Sequence, residues 1–169
     1  MIGRPAASEY APYFGRYIDL VPGDDLVGEL RLGAGTAELL RSLDPEAGRR
    51  RYAPDKWTLA QSIQHVIDTE RIFGVRALRI ARGDETPLPG FDQDAFAEMA
   101  ADRPLADLAD EFEAVRAATF ALFASLPPEA AARVGTSSGG PLSARAAGYV
   151  VAGHERHHDR ITRERYLAA

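Results

Sequence analysis

Thr58-Leu59-Ala60-Gln61-Ser62-Ile63-Gln64-His65-Val66-Ile67 is the stretch on which the fold turns. Leu59, Ile63, Val66 and Ile67 fall at three- and four-residue steps, the period that gathers side chains on one face of an α-helix. The pattern continues through Phe73 and Leu78 and stops at Gly83. Thr58, after Pro54-Asp55-Lys56-Trp57, suits the N-cap or first turn. One histidine, His65, lies mid-way along this helix.

Three more segments carry the same period. The first runs from about Leu26 to Leu43, with Leu26, Leu30, Ala34, Ala37 and Leu40 as its apolar positions, after a turn at Val21-Pro22-Gly23-Asp24-Asp25. The third spans Pro104 to Leu126, striped by Leu105, Leu108, Phe112, Val115, Thr119, Leu122 and Phe123 and closed by Pro127-Pro128. The fourth follows Gly139-Gly140-Pro141 and runs from about Leu142 to Leu167, with Ala147, Val150, His154, His157 and Ile161 at helical steps. No segment alternates as a strand would. Helices of this size are roughly 27 to 39 Å long, which predicts an all-α four-helix bundle. Between the second and third helices, Gly83 to Arg103 supplies about 20 residues, enough at roughly 3.3 Å each to travel back along a helix. Those two helices can therefore run parallel. Phe91 and Phe96 are expected to pin this crossover, and residues 1–22, with Tyr10, Tyr13, Phe14 and Tyr17, to form an irregular arm packed on a single domain spanning 1–169.

Composition narrows the function. Apolar residues make up 46% and charged residues 27% of 169, an ordinary globular balance. There is no cysteine, which excludes disulfides, a thiolate nucleophile and any cysteine-held metal. A net charge of −5 argues against nucleic acid as a partner, and the short run Arg49-Arg50-Arg51 reads as a solvated helix end. No stretch approaches the roughly 18 to 20 apolar residues that span a bilayer, and Met1-Ile2-Gly3-Arg4-Pro5 lacks the apolar region of a signal peptide. The expected setting is the cytoplasm, without a membrane partner.

All four histidines fall in two helices: His65 in the second, and His154, His157 and His158 late in the fourth. Residues four apart lie about 40° apart around a helix axis, so His154 and His158 can direct both imidazoles at one point. A helix uses that spacing to bite a metal ion. Two ligands make a weak site, and His65 is the histidine left to complete it. His157 is assigned a packing or supporting role. His154-Glu155-Arg156-His157-His158 also matches the HExxH pattern of zinc proteases, but eleven residues follow His158 and no strand is expected before it to align a peptide. Glu155 is read instead as a solvent-facing charge near Arg156 or Arg160.

Lys56-Trp57-Thr58-Leu59-Ala60-Gln61-Ser62-Ile63-Gln64-His65-Val66-Ile67-Asp68-Thr69-Glu70-Arg71 resembles the second-helix segment of the DinB-like family. Pro89-Gly90-Phe91-Asp92-Gln93-Asp94 is similar to that family's crossover motif, and Gly153-His154-Glu155-Arg156-His157-His158 to its C-terminal histidine motif. Glu9-Tyr10-Ala11-Pro12-Tyr13-Phe14-Gly15-Arg16-Tyr17 resembles the start of many members. The resemblance implies a bundle of up-down-down-up topology and one divalent ion on His65, His154 and His158. It also implies that relatives include S-transferases using a low-molecular-weight thiol such as bacillithiol or mycothiol, and thiol-dependent isomerases. A homodimer is a family-level expectation.

Three neutral imidazoles leave a coordination position open. Water entering there would favour hydrolysis; a thiol would lose its proton and give a nucleophile for transfer. Without a cysteine, any thiolate comes from a cosubstrate. The expected function is therefore a Zn, Ni or Fe enzyme acting on a small molecule, either a thiol-dependent S-transferase or a related hydrolase. The alternatives are a non-catalytic, stress-associated metal-binding protein and a dimerisation module. Asp68, Tyr149 and His157 are candidates to orient the ligating rings, since such rings need a partner for their second nitrogen, and Trp57 is expected to be a packing anchor or pocket wall.

Overall fold

The computed structural model describes residues 1–100 and 103–168. Beside the single-turn helices α1 (Gly15–Ile18) and α7 (Pro128–Ala131), three long helices build the frame: α4 (Leu59–Ala81), α6 (Leu105–Ser125) and α8 (Ala144–Ile161). The start of α4 is fixed by its sequence: Thr58 Oγ1 accepts the Gln61 N–H at 3.1 Å while the Gln61 side chain accepts the Thr58 N–H at 2.9 Å. That reciprocal pair satisfies two amides that the helix itself cannot. Ser143 caps α8, accepting from the Ala146 N–H at 3.0 Å.

The fourth side of the bundle departs from the expected single helix over 26–43. It is two short helices, α2 (Leu26–Leu32) and α3 (Thr36–Ser42), separated at Gly33-Ala34-Gly35. Gly33 and Gly35 both have positive φ, +56° and +76°, which glycine adopts without steric cost. The apolar spacing carried straight through this break, so periodicity alone read it as continuous. Leu26 and Leu30 of α2 and Leu40 of α3 are nonetheless all buried. α2 packs on α6 and α8, α3 on α6, and α4 on both α6 and α8.

A β-hairpin precedes α8 where no strand was expected. β1 (Val134–Ser137) pairs antiparallel with β2 (Gly140–Ser143), Val134 opposite Ser143 and Ser137 opposite Gly140. Four-residue strands rich in Gly and Ser give no alternation to read. The hairpin stitches the loops together. Leu88 of the crossover donates to Thr136 O and accepts from the Ser138 N–H, both at 2.9 Å, and Ala11 of the arm donates to Pro141 O at 3.0 Å. The crossover itself holds α5 (Gln93–Met99). Leu88 and Ala97 are its buried apolar residues, whereas Phe96, expected to pin it, is 46% exposed and stacks on Phe91 at the surface.

The core forms two apolar clusters. One holds Phe73, Ile80, Leu26, Phe123 and α8 from Ala144 to Ala152; the other holds Leu59, Ile63, Ile67, Leu108 and Phe112. Along α8 the first cluster stops at Ala152 and the second resumes with Ile161. The histidines occupy the gap. Among the described residues, no helix is long and apolar enough to cross a membrane.

Candidate metal centre

His65 of α4 meets His154 and His158 of α8, and each offers one ring nitrogen within a cluster no more than 4.8 Å across. His65 Nε2 and His154 Nε2 stand 3.2 Å apart. Ligands about 2.0–2.1 Å from a common ion sit about 3.3 Å apart at tetrahedral angles, so this pair has the spacing that shared coordination needs. Ser62, one turn before His65, lies 3.1 Å from His158 Nδ1. That contact holds the ring and leaves Nε2 free to face its neighbours.

Burial sets the charge state. His65 and His154 are buried; His158 keeps some surface exposed, yet its ring is desolvated. Desolvation pulls His65 down to about 4 against a weak opposing pull from Asp94, and pulls His158 down to about 3, helped by the neighbouring His65 and His157. His154 is held well below its ordinary value by burial first and then by the other three histidines. All three rings are neutral near pH 7, with lone pairs available. Among the described residues no carboxylate belongs to the cluster, so a cation would be the partner that satisfies those lone pairs.

Aromatic rings wall the centre. Trp57 packs on His65 with centroids 4.9 Å apart, and Tyr17 of the arm meets His154 edge-on at 5.1 Å and His157 at 5.5 Å. Two cavities open onto the histidines from different sides. One, of about 200 Å³, exposes His65 and His154 among Phe14, Phe73 and Phe91. The other, of about 220 Å³, exposes His158 beside Trp57, Ser62, Lys56 and Asp94.

The sequence matches the DinB superfamily over residues 31–161. The chain belongs to that superfamily. The fold agrees with a solved structure, YfiT from Bacillus subtilis, at a TM-score of 0.67 and 16% identity, covering 96% of this chain and 93% of that one. YfiT is described as a probable metal-dependent hydrolase with an unusual four-helix bundle topology. Among curated proteins, none matches this sequence.

In this DinB member the proposed supporting residues separate. Asp68 faces away from the cluster: its carboxylate accepts from Gln64 Nε2 at 3.0 Å and lies 3.6 Å from Arg71. Tyr149 is fully buried elsewhere, its hydroxyl donating to Gly23 O at 3.4 Å under the Arg4 guanidinium. His157 does border the centre, its ring 5.3 Å from that of His158. The orienting partner the sequence reading missed is Ser62, three residues before His65 and so on a neighbouring strip of α4. A second omission is Gly153. A Cβ there would overlap the backbone carbonyl of Tyr17, so only glycine lets the arm lie flat on α8 and bring the Tyr17 ring to His154.

Glu155 is also corrected. It is not a solvent-facing charge but is 1% exposed. Its Oε1 accepts from the Ala34 N–H at 3.0 Å and the Thr36 hydroxyl at 2.9 Å, and its Oε2 accepts from Arg116 at 2.7 Å. Arg116 also forms a two-pronged pair with Glu70 at 2.9 and 2.8 Å. The carboxylate that would be the general base in a protease instead ties α8 to α3 and α6.

Proposed function

We propose that this protein is a metal-dependent enzyme in which His65, His154 and His158 hold one divalent transition ion, and that it transfers a small thiol to an electrophilic substrate. The observation that carries the reading is the meeting of three neutral imidazoles, one from α4 and two from α8, at the junction of two cavities. A structural ion would be closed off by a fourth protein ligand, and among the described residues no fourth one-atom ligand joins the cluster. When bound, such an ion supplies Lewis acidity and lowers the pKa of a water or thiol that joins it. Zn, Ni and Fe all suit imidazole.

The chain's own residues do the rest. Ser62 orients the His158 ring. Tyr17, Trp57 and Phe73 line the approach and keep bulk water away, which strengthens charge interactions inside. The two cavities suit two reactants: the thiol, which a chain without cysteine must import, and its electrophile. Hydrolysis is the second reading, favoured by the likeness to YfiT, and needs only one of them. The reading keeps the up-down-down-up path of the helices, residues 1–22 as an arm on one domain, a cytoplasmic setting and a homodimer.

The test uses protein reconstituted with each of Zn, Ni and Fe and an electrophilic model substrate, with and without a panel of small thiols. Thiol-dependent turnover that is lost in His65→Ala supports transfer. Turnover that ignores thiol and consumes water supports hydrolysis. No turnover under any combination, with His65→Ala indistinguishable from the parent in metal content, sinks both.

A further inference from the structure

Resting on that reading, the cavity beside His65 and His154 carries information about what enters it. His65, Thr69, Phe73 and Arg76 follow one another along α4 at steps of four, four and three, a single face of the helix, and all four line this cavity. The aromatic walls, Phe14, Phe73 and Phe91, call for an apolar body in the ligand. Two polar groups of this face, Thr69 and Arg76, do not fit that description.

Arg76 is 4% exposed, and among the described residues no carboxylate pairs with it. One of its terminal nitrogens, Nη2, donates to Pro89 O at 2.7 Å and to Ser138 Oγ at 3.3 Å. Its guanidinium packs on Phe73 at 4.8 Å. Fastening the crossover to the hairpin thus occupies Nη2 and, among the described residues, leaves Nε and Nη1 without a hydrogen-bond partner. A guanidinium stays charged at any physiological pH, and an unpaired buried charge is costly enough that native proteins rarely tolerate one without a counterion. Arg116, the comparable buried arginine, has two carboxylates.

Thr69 adds a second, independent observation. It is 4% exposed and lines the same cavity between His65 and Arg76, and its hydroxyl, itself buried, has no hydrogen-bond partner among the described residues. Ser138 and Gly139, both at positive φ, are the two central residues of the tight hairpin turn, and that turn brings the Ser138 hydroxyl to Arg76.

We propose that Arg76 anchors an anion at the far end of this cavity, that the Thr69 hydroxyl, between that end and His65, donates to the same group, and that the substrate is a small carboxylate with an apolar or aromatic body whose reactive end lies at the histidines. Along α4 the two ends are eleven residues apart, about 16 Å of helix rise, and the long arginine side chain leans back toward the N-terminal end. At about 200 Å³ the cavity is below the roughly 300–1,000 Å³ of most ligand sites, which keeps the substrate small. The anion-binding end needs no ion at the histidines, so it can be tested apart from activity.

The experiment is calorimetric titration of chelator-treated full-length protein with ω-phenylalkanoates from phenylacetate to 5-phenylvalerate, with their primary amides and with inorganic phosphate. The expected result is that at least one acid binds ten-fold or more tighter than its amide. Arg76→Met removes that preference, Arg76→Lys restores part of it, and Thr69→Val weakens the acid several-fold. If Arg76→Met does not fold, Arg76→Lys, Thr69→Val and the acid–amide comparison decide. The proposal is overturned if no acid outbinds its amide, if the preference survives at Arg76→Met, or if inorganic phosphate outbinds every acid. An acid preference in a protein that shows no turnover with any metal leaves this site standing while the enzyme reading falls. Turnover of neutral electrophiles without any acid preference does the reverse.

Discussion

Two polar clusters interrupt the apolar interior between α4 and α8, and they differ in how completely they are satisfied. His65 and His154 define one; Glu70 and Glu155, five residues and one residue further along the same helices, define the other. The carboxylates are joined by Arg116 through three hydrogen bonds of 2.7 to 2.9 Å, and Glu155 also takes an amide and a hydroxyl from the α2–α3 break. Every strong acceptor there has a donor. The imidazoles have each other, one serine and, among the described residues, no carboxylate bonded to them. One cluster is closed by the protein's own groups and fastens the bundle, while the other has the makeup of the metal site proposed above. Side by side, the first holds the two helices at a fixed spacing while the second depends on that spacing.

The largest expected effect comes from breaking the closed cluster. Arg116→Met leaves Glu70 and Glu155 buried without their cation, which costs about 3–5 kcal/mol for a pair of this kind. Urea unfolding of the chelator-treated protein measures it directly. Combining Arg116→Met with Glu70→Gln and Glu155→Gln should recover much of the loss, because the uncompensated charges go with the arginine. A loss under about 1 kcal/mol in the single variant would mean the cluster is a bystander.

That contrast also explains what could be read from the chain and what could not. The histidine triad was legible because two of its members obey helix spacing and the third had no rival outside them. Helices over 59–81, 105–125 and 144–161 were legible because their apolar faces are long. Glu155 was misread because its partners come from residues 34, 36 and 116, distant in sequence and on other elements. Periodicity reports one helix face at a time and says nothing of a second buried face. The hairpin and the α2–α3 break escaped for a related reason: both are set by left-handed backbone at Ser138, Gly139, Gly33 and Gly35, and a glycine inside a periodic run looks the same whether or not it uses that freedom. Ser62 was missed because its hydroxyl serves a histidine 96 residues away.

A second effect, of middle size, separates the clusters by pH. Burial lowers the histidine pKa values in the folded protein, to about 4 for His65 and about 3 for His158, against about 6.5 in an unfolded chain. The unfolded state therefore binds protons first as pH falls. Stability from these neutral rings is complete above about 6.5 and drains away as acidification proceeds toward the folded values. The urea midpoint of chelator-treated protein should fall between pH 7 and pH 5. In His65→Phe that fall should shrink, whereas it should persist in the Glu70→Gln, Glu155→Gln, Arg116→Met combination. With metal present, protons compete with the ion for the folded rings only as pH nears their folded values, so metal content should hold at pH 5 and decline below about 4.

The smallest effect is the sharpest test of how the open cluster is arranged. Ser62→Ala removes the group that orients the His158 ring through Nδ1 at 3.1 Å while leaving all three proposed ligands in place. Residues that orient a ligating ring contribute roughly 10- to 100-fold to metal affinity, so Ser62→Ala should lower affinity by about ten-fold in a competition with a chromogenic chelator. Ser62 also neighbours the Tyr166 hydroxyl, which keeps its own bond to Trp57 O, and alanine is a good helix former, so thermal stability without metal should change by less than about 1 kcal/mol. Ser62→Thr, which keeps the hydroxyl, should restore part of the affinity. Asp68→Asn, by contrast, should leave affinity as it is, because that carboxylate answers Gln64 and Arg71. Equal losses at positions 62 and 68 would show that affinity follows general polarity along α4 instead of one hydroxyl placed against one ring nitrogen.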